Sequence, residues 1–213
     1  MKFIPYLELE GQHAFLSPSQ PQWLRYSDEK LAERYTNSQA VQRGTELHQL
    51  AHDLIRLNVT LPRTKQSLNM FVNDAIGFKM ASEQPLYFHS FCYGTADAID
   101  YKRNNLRIHD LKTGETEGKM DQLKIYAALF CLNYQNYVKK ARKDGKNDSD
   151  IARDLDLKET ELHFNPEQMN KIELRIYQYG EIRSEEPDPA EIRAIMDIIV
   201  HDVEVLKKVK AEG

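Results

Sequence analysis

The stretch from Gly94 to Tyr126 constrains this chain more than any other. Two runs within it alternate apolar and polar residues, Ala98–Tyr101 and Leu106–Leu111, with Asn104-Asn105 between them. Alternation with period two marks half-buried strands, and asparagine tolerates the positive φ of a tight turn. The stretch is therefore expected to fold as a β-hairpin turning at Asn104-Asn105. Residues two apart on a strand share a face, which points Asp110 and Lys112 together and turns Leu111 into the core. The hairpin then carries Asp97, at the head of the first arm, back beside Asp110. Two carboxylates and one amine converge at a sheet end next to a Thr-Gly exit loop, a constellation suited to a divalent metal and phosphate chemistry.

Elements on either side supply the rest of a domain. Leu47, Leu50, Ala51, Leu54 and Ile55 recur at helical spacing and predict a helix over Val41–Leu57, with His48 and His52 sharing one face. The pair lacks the glutamate of HExxH, so a zincin reading fails. Two readings stay open for His52, behind a ligand or in solvent. A second helical pattern covers Ser67–Ala81. An aromatic strand over Tyr87–Tyr93 leads into the hairpin and makes a three-strand meander. Leu123, Tyr126, Ala127 and Phe130 give Lys119–Tyr137 an apolar helical face, with Gln122 and Tyr126 four apart near its start.

Lys139, Lys140, Arg142, Lys143 and Lys146 form a basic run that turns acidic over 147–156. This region is expected to be an exposed insertion near 139–157, either gripping phosphates or simply solvated. Ile172, Leu174 and Ile176 alternate on a returning strand, leaving Arg175, Tyr177 and Tyr179 to meet nucleic acid or the helix that bears Gln122. Pro187-Asp188-Pro189 opens a final amphipathic helix over 187–210. At the other end, Phe3, Ile4, Leu7 and Leu9 suggest an edge strand or arm, and Ser17-Pro18-Ser19 a capped helix start followed by Trp23, Leu24, Leu31 and Tyr35.

Gly94-x-x-Asp97, Asp110-x-Lys112 and Gln122-x-x-x-Tyr126, in that order, resemble the PD-(D/E)xK nuclease superfamily. The similarity is greatest to RecB-type nuclease domains and the small phage and CRISPR-associated exonucleases that share their pattern. Ala96-Asp97 stands where the superfamily usually has Pro-Asp. The resemblance implies an α/β fold with a restriction-endonuclease-like core, a mixed central sheet containing an antiparallel three-strand meander, and flanking helices. It implies one domain over 1–213, with an N-terminal arm or helix over 1–40, a catalytic core over 41–180 and a covering C-terminal helix. It assigns catalysis to Asp97, Asp110 and Lys112. It assigns metal binding to Asp97, Asp110, the Leu111 carbonyl and His48, the last through Gly44-Thr45-x-x-His48. Gln122 and Tyr126 would position a DNA strand. Glu83-x-Pro85-Leu86 matches an element of this branch, and Glu83 is read either near the site or as a solvated strand-edge residue.

The implied cofactor is Mg²⁺ or Mn²⁺, since carboxylate oxygens select hard cations and an imidazole favours Mn²⁺. Cys92 and Cys131 are too few for the four-cysteine iron–sulfur cluster of one CRISPR-associated branch. Lys112 is assigned to orienting water and stabilising negative charge, with general base as the alternative. The activity expected is metal-dependent deoxyribonuclease, of exonuclease type, in recombination, repair or phage DNA processing. Endonuclease or nickase action on the same core, or a non-cleaving binding member, are the alternatives. DNA is the expected partner, with a recombination or replication protein or further copies of the chain left open. The net charge of −4 rules out a surface coated in positive charge but leaves room for a local basic patch. With no bilayer-length apolar run and no signal pattern, residence in the cytoplasm of a bacterial or phage-infected cell is expected, without membrane contact.

Overall fold

A chain with this mixture of alternating and helical patterns must bury one face of a sheet against helices, and it does so on both faces. The structure, a computed structural model, describes residues 15–16 and 21–212. The strand or arm expected over 1–16 and the cap at Ser17-Pro18-Ser19 lie, apart from Phe15 and Leu16, outside the described residues. The chain divides into two units, Met1–Thr45 and Glu46–Gly213. Within the first, a 3-10 turn at Pro21–Arg25 precedes helix α1, and Phe15 meets Tyr35 edge-on. Helix α1 spans Asp28–Arg56, beginning where the Ser27 hydroxyl accepts from the Lys30 N–H at 3.3 Å. The expected start at Val41 is thus corrected. Leu31 and Tyr35, read as part of a separate N-terminal helix, lie in the early turns of α1, and the polar stretch between Tyr35 and Val41 hid the continuity.

In the second unit the order continues α2 (Ser67–Phe78), β1 (Ala81–His89), β2 (Cys92–Lys102), β3 (Asn105–Leu111), α3 (Met120–Lys143), α4 (Asp148–Asp154), β4 (Lys171–Gln178), β5 (Glu181–Glu185) and α5 (Pro189–Glu212). The five strands form one mixed sheet in chain order. β1–β2–β3 is an antiparallel meander, β3 and β4 run parallel across the α3–α4 crossover, and β4–β5 is a hairpin. One face packs Leu106, Ile108, Leu174 and Ile176 against α3 and α5. The other packs Ala98, Leu111 and Tyr177 against Ala51 and Ile55 of α1 and Phe71, Val72 and Ala75 of α2. Burial of large apolar side chains such as Phe71 and Leu123 contributes roughly 1.5–3 kcal/mol each. Among the described residues no helix is long and apolar enough to cross a membrane.

Several boundaries differ from expectation for identifiable reasons. Helix α2 stops at Phe78, before the expected Ala81, because Lys79 adopts a left-handed cap with φ 57°. The strand expected over Tyr87–Tyr93 is two strands, with the turn at Ser90-Phe91. The next hairpin turns at Arg103-Asn104, with φ of 53° and 58°, while Asn105 pairs with Lys102. The region near 139–157 is mostly exposed, its basic run included, but it is helical and anchored to the core rather than irregular. Helix α3 continues to Lys143, Val138, Ala141, Ile151 and Ala152 are buried, and Arg142–Asp148 and Lys146–Asp154 are ion pairs. Arg175 and Tyr177 face α2 rather than α3. Both bond Asp74 of α2, at 3.1 and 2.6 Å, and Tyr177 is fully buried.

The β4–β5 hairpin turns on Tyr179 and Gly180, both at positive φ. A Cβ on Gly180 would lie 2.6 Å from the Lys65 carbonyl oxygen, a backbone atom that cannot swing aside. Gly180→Ala is expected to lower stability by about 1–3 kcal/mol in a denaturant melt. An unchanged midpoint would show that the 60–66 segment adjusts freely.

Candidate metal centre

β2 is longer than β3. Its pairing with β3 begins only at Ala98, opposite His109, so Cys92–Ala96 is paired on the β1 side alone. Extending that register places Asp97 opposite Asp110, where the hairpin reading expects it. The Asp97 Oδ2 accepts from the Leu111 N–H at 2.8 Å and lies 3.3 Å from His48 Nδ1 of α1. Leu111 itself is buried against α2, and Asp110 and Lys112 fall on the opposite face, towards α3.

An irregularity shared by two strands completes the cluster. The β1–β2 ladder holds the same register on both sides of it, Ser82 opposite Ala98 and Gln84 opposite Ala96, yet Glu83 and Asp97 between them are not paired. Glu83 sits at φ 50°, unusual for a non-glycine residue in a strand. The twist turns both acidic side chains towards α1. Ser82 faces α1 too, where its hydroxyl meets His52 Nδ1 at 2.8 Å. Ligand atoms of His48, Glu83 and Asp97 all lie within 4.8 Å of one another. His52 stands behind the cluster, bonded to the residue next to Glu83.

On the α3 side, Lys112 Nζ lies 3.1 Å from Asp110 Oδ1 and 2.9 Å from Oδ2. Only the Oδ1 contact has hydrogen-bond geometry, so Oδ2 is buried without a well-directed donor. The same Nζ donates to Gln122 Oε1 at 2.8 Å, and the Gln122 amide donates to the Tyr126 hydroxyl at 3.3 Å. Asp110, Lys112, Gln122 and Tyr126 therefore form one chain. Lys112, Gln122 and Tyr126 line an open cleft of about 720 Å³ shared with His48, Tyr93 and Gly94, with Asp110 buried behind Lys112.

Gly94 is where β2 meets this chain. A Cβ there would lie 2.9 Å from Tyr126 Cε1. Gly94→Ala is expected to push the Tyr126 ring away and break its bond to Gln122, with little change in melting temperature. A crystal structure of the variant with the Tyr126–Gln122 bond intact would count against this account.

The electrostatics run one way. Burial, reinforced by the charge of Asp97 and opposed by Lys112, pushes the Asp110 carboxyl up to about 6. Burial and the Asp97 charge also raise Glu83. The hydrogen bond to Asp97 raises His48 above its ordinary value against desolvation, with Asp110 and Glu83 adding to it. Burial leads the shifts of Asp110 and Glu83, the Asp97 charge adds to both, and the Asp97 carboxylate leads that of His48. A buried carboxylate oxygen without a directed donor, beside three converging oxygen and nitrogen ligands, fits a hard divalent cation. His48, Glu83 and Asp97 would hold it, with Asp110 and the Leu111 carbonyl at the adjoining sheet end.

All seven predicted site residues thus belong to one neighbourhood, with Asp110 tied to Lys112 and the closest ligand trio being His48, Glu83 and Asp97. Glu83 was legible only as an ambiguous strand-edge residue. Gln178 gave no signal at all, although its side chain bonds the backbone of the loop that follows Lys112. No family model, curated protein or solved structure matches the chain.

Proposed function

We propose that the chain is a metal-dependent deoxyribonuclease hydrolysing DNA phosphodiester bonds on a restriction-endonuclease-like core of the RecB type. One observation carries this reading. A His48–Glu83–Asp97 cluster and the buried Asp110 stand beside a fixed Lys112–Gln122–Tyr126 chain in an open cleft. Exonuclease action, and a place in recombination, repair or phage DNA processing, rest on the resemblance of the motifs alone.

Bound Mg²⁺ or Mn²⁺ would supply an acidified water and neutralise charge on the phosphate. The protein's own groups do the rest. His48 and Asp97 orient each other, and the Leu111 N–H holds Asp97 in place. Lys112 Nζ, fixed between Asp110 and Gln122, stands where it can orient the attacking water or face a phosphate oxygen as negative charge builds up. Gln122 and Tyr126 border the cleft and set where a strand lies against Lys112.

The test is cleavage of end-labelled linear and closed-circular DNA, single- and double-stranded, with Mn²⁺, Mg²⁺ or EDTA and Asp110→Ala as control. Metal-dependent loss of linear DNA alone is the expected result. Cutting of circles would replace exonuclease with endonuclease action. Intact, metal-binding protein that leaves every substrate whole would overturn the enzymatic reading in favour of a non-cleaving nucleic-acid-binding member of the fold.

A further inference from the structure

Lys112 is a flexible four-carbon stem, and something must hold it where its amine is useful. Its backbone N–H donates to the Tyr177 carbonyl at 3.0 Å, tying it to the end of β4. Its stem lies flush against Gly118, where a Cβ would meet Lys112 Cγ at 2.8 Å and Cε at 3.3 Å. The position of the loop backbone at Gly118 therefore sets the space open to the Lys112 side chain. Residues 113–117 of that loop are exposed, so water can satisfy their backbone and the core does not dictate their path.

Gln178, the last residue of β4, is only 4% exposed and spends its whole amide on this loop. Its Oε1 accepts from the Gly118 N–H at 3.0 Å. Its Nε2 donates to the carbonyls of Gly114 at 2.9 Å and Thr116 at 2.8 Å. A glutamine buried to hold three backbone groups of an otherwise solvated loop is placed for geometry. Arg183 and Tyr179 grip the outer side, Arg183 donating to the Gly118 carbonyl at 2.6 Å and Tyr179 to the Glu115 carbonyl.

We propose that Gln178 is a positioning residue for Lys112, acting through the loop to keep Gly118 against the lysine stem. The role rests on the nuclease reading for its kinetic consequence, but not for its geometry. Displacing a reacting group by about 1 Å costs on the order of 10²-fold in rate. Gln178→Ala is accordingly expected to lower kcat by roughly 10- to 100-fold, with KM for DNA, metal affinity and melting temperature little changed. Gln178→Glu keeps the size and the acceptor but can donate to at most one of the Gly114 and Thr116 carbonyls, and only when protonated, and it is expected to show the same loss. Should Gln178→Ala fail to fold, Gln178→Glu carries the test.

Two measurements separate positioning from general support. Adding Gln178→Ala to Lys112→Ala is expected to cause no further loss of kcat, because the residue being positioned is already gone. Lys112 is expected to be acylated several-fold faster by an amine reagent in metal-free Gln178→Ala than in the parent, relative to the exposed Lys139, as read by peptide mass analysis. Wild-type kcat in both variants, or a Gln178 effect that multiplies with the Lys112 effect, would overturn the proposal. If the parent protein cuts no DNA, the nuclease reading fails and the labelling decides alone. Unchanged Lys112 labelling would then overturn the positioning role.

Discussion

Alanine in place of Asp97 or Asp110 is expected to reduce DNA cleavage to the level seen in EDTA, whereas Lys112→Ala is expected to lower turnover by roughly 10²–10³-fold with Mn²⁺ binding retained. The asymmetry follows from what each group touches. Asp97 contacts His48 and the Leu111 N–H at once, so its loss dissolves the ligand cluster and frees the end of β3. Asp110 has a buried oxygen without a directed donor beside the cluster, and its loss also strips Lys112 of its partner. Lys112 borders the cluster without being a ligand, so its removal is expected to reach the chemical step and spare the metal. Single-turnover cleavage and calorimetric Mn²⁺ titration of the three variants measure the two effects separately. Full activity in any one of them would remove that residue from the mechanism, and lost Mn²⁺ binding in Lys112→Ala would recast the lysine as structural.

Saturating Mn²⁺ is expected to stabilise the protein increasingly as pH rises from about 5 to 8, and the metal-free protein to lose stability above about 6.5. Asp110, Glu83 and His48 all hold their protons more tightly folded than unfolded. For such groups the stabilising contribution is complete below the unfolded pKa and is lost as pH rises through the folded one. Asp110 moves from 3.8 to about 6. At 1.36 kcal/mol per pH unit, that costs the folded state about 3 kcal/mol across the rise from 3.8 to 6, part of it already below pH 5. Glu83 adds to the loss above its ordinary carboxylate range, and His48 above its ordinary value of 6.5. His109 acts in the opposite sense: burial holds it neutral down to about 3, so it returns stability as pH rises to 6.5 and offsets Asp110 until then, which leaves the net loss to appear above 6.5. The carboxylates held below their ordinary range, such as Glu173 and Asp148, are already ionised there. A cation bound to the folded state alone at 100 times its Kd contributes about 2.7 kcal/mol. Thermal melts in EDTA and in Mn²⁺ across this range provide the check. A metal-free profile that stays flat above pH 6.5, or no rise with Mn²⁺ at pH 8, would mean the cluster is not built for a cation.

The parts of the site that follow a simple period were legible in the sequence. Asp110 and Lys112 are two apart on a strand, Asp97 is brought back by a hairpin, and Gln122 and Tyr126 are four apart on a helix. Each placement needs only local geometry, and a turn misplaced by one residue did not disturb it. Glu83 was ambiguous because its direction depends on an irregularity spanning two strands, which leaves no mark in either strand's alternation. Gln178 was silent because its partners are backbone atoms some 60 positions away in a loop. Arg175 and Tyr177 were misread because alternation says which residues share a face but not which layer covers that face. Here it is α2, through Asp74.

The early end of β3 has a consequence for how such a site can change. Glu83, Asp97 and His48 belong to the α1 side of the sheet, and Lys112, Gln122 and Tyr126 to the α3 side. The two groups meet at the opening beyond Leu111, where Asp110 and the cleft that His48 shares with Lys112 lie between them. On the nuclease reading, substitutions near Tyr126 would retune how a strand is gripped and substitutions near His52 would retune the ion, while a change at Asp110 would reach both. A chain built this way would change its substrate and its ion by largely separate steps.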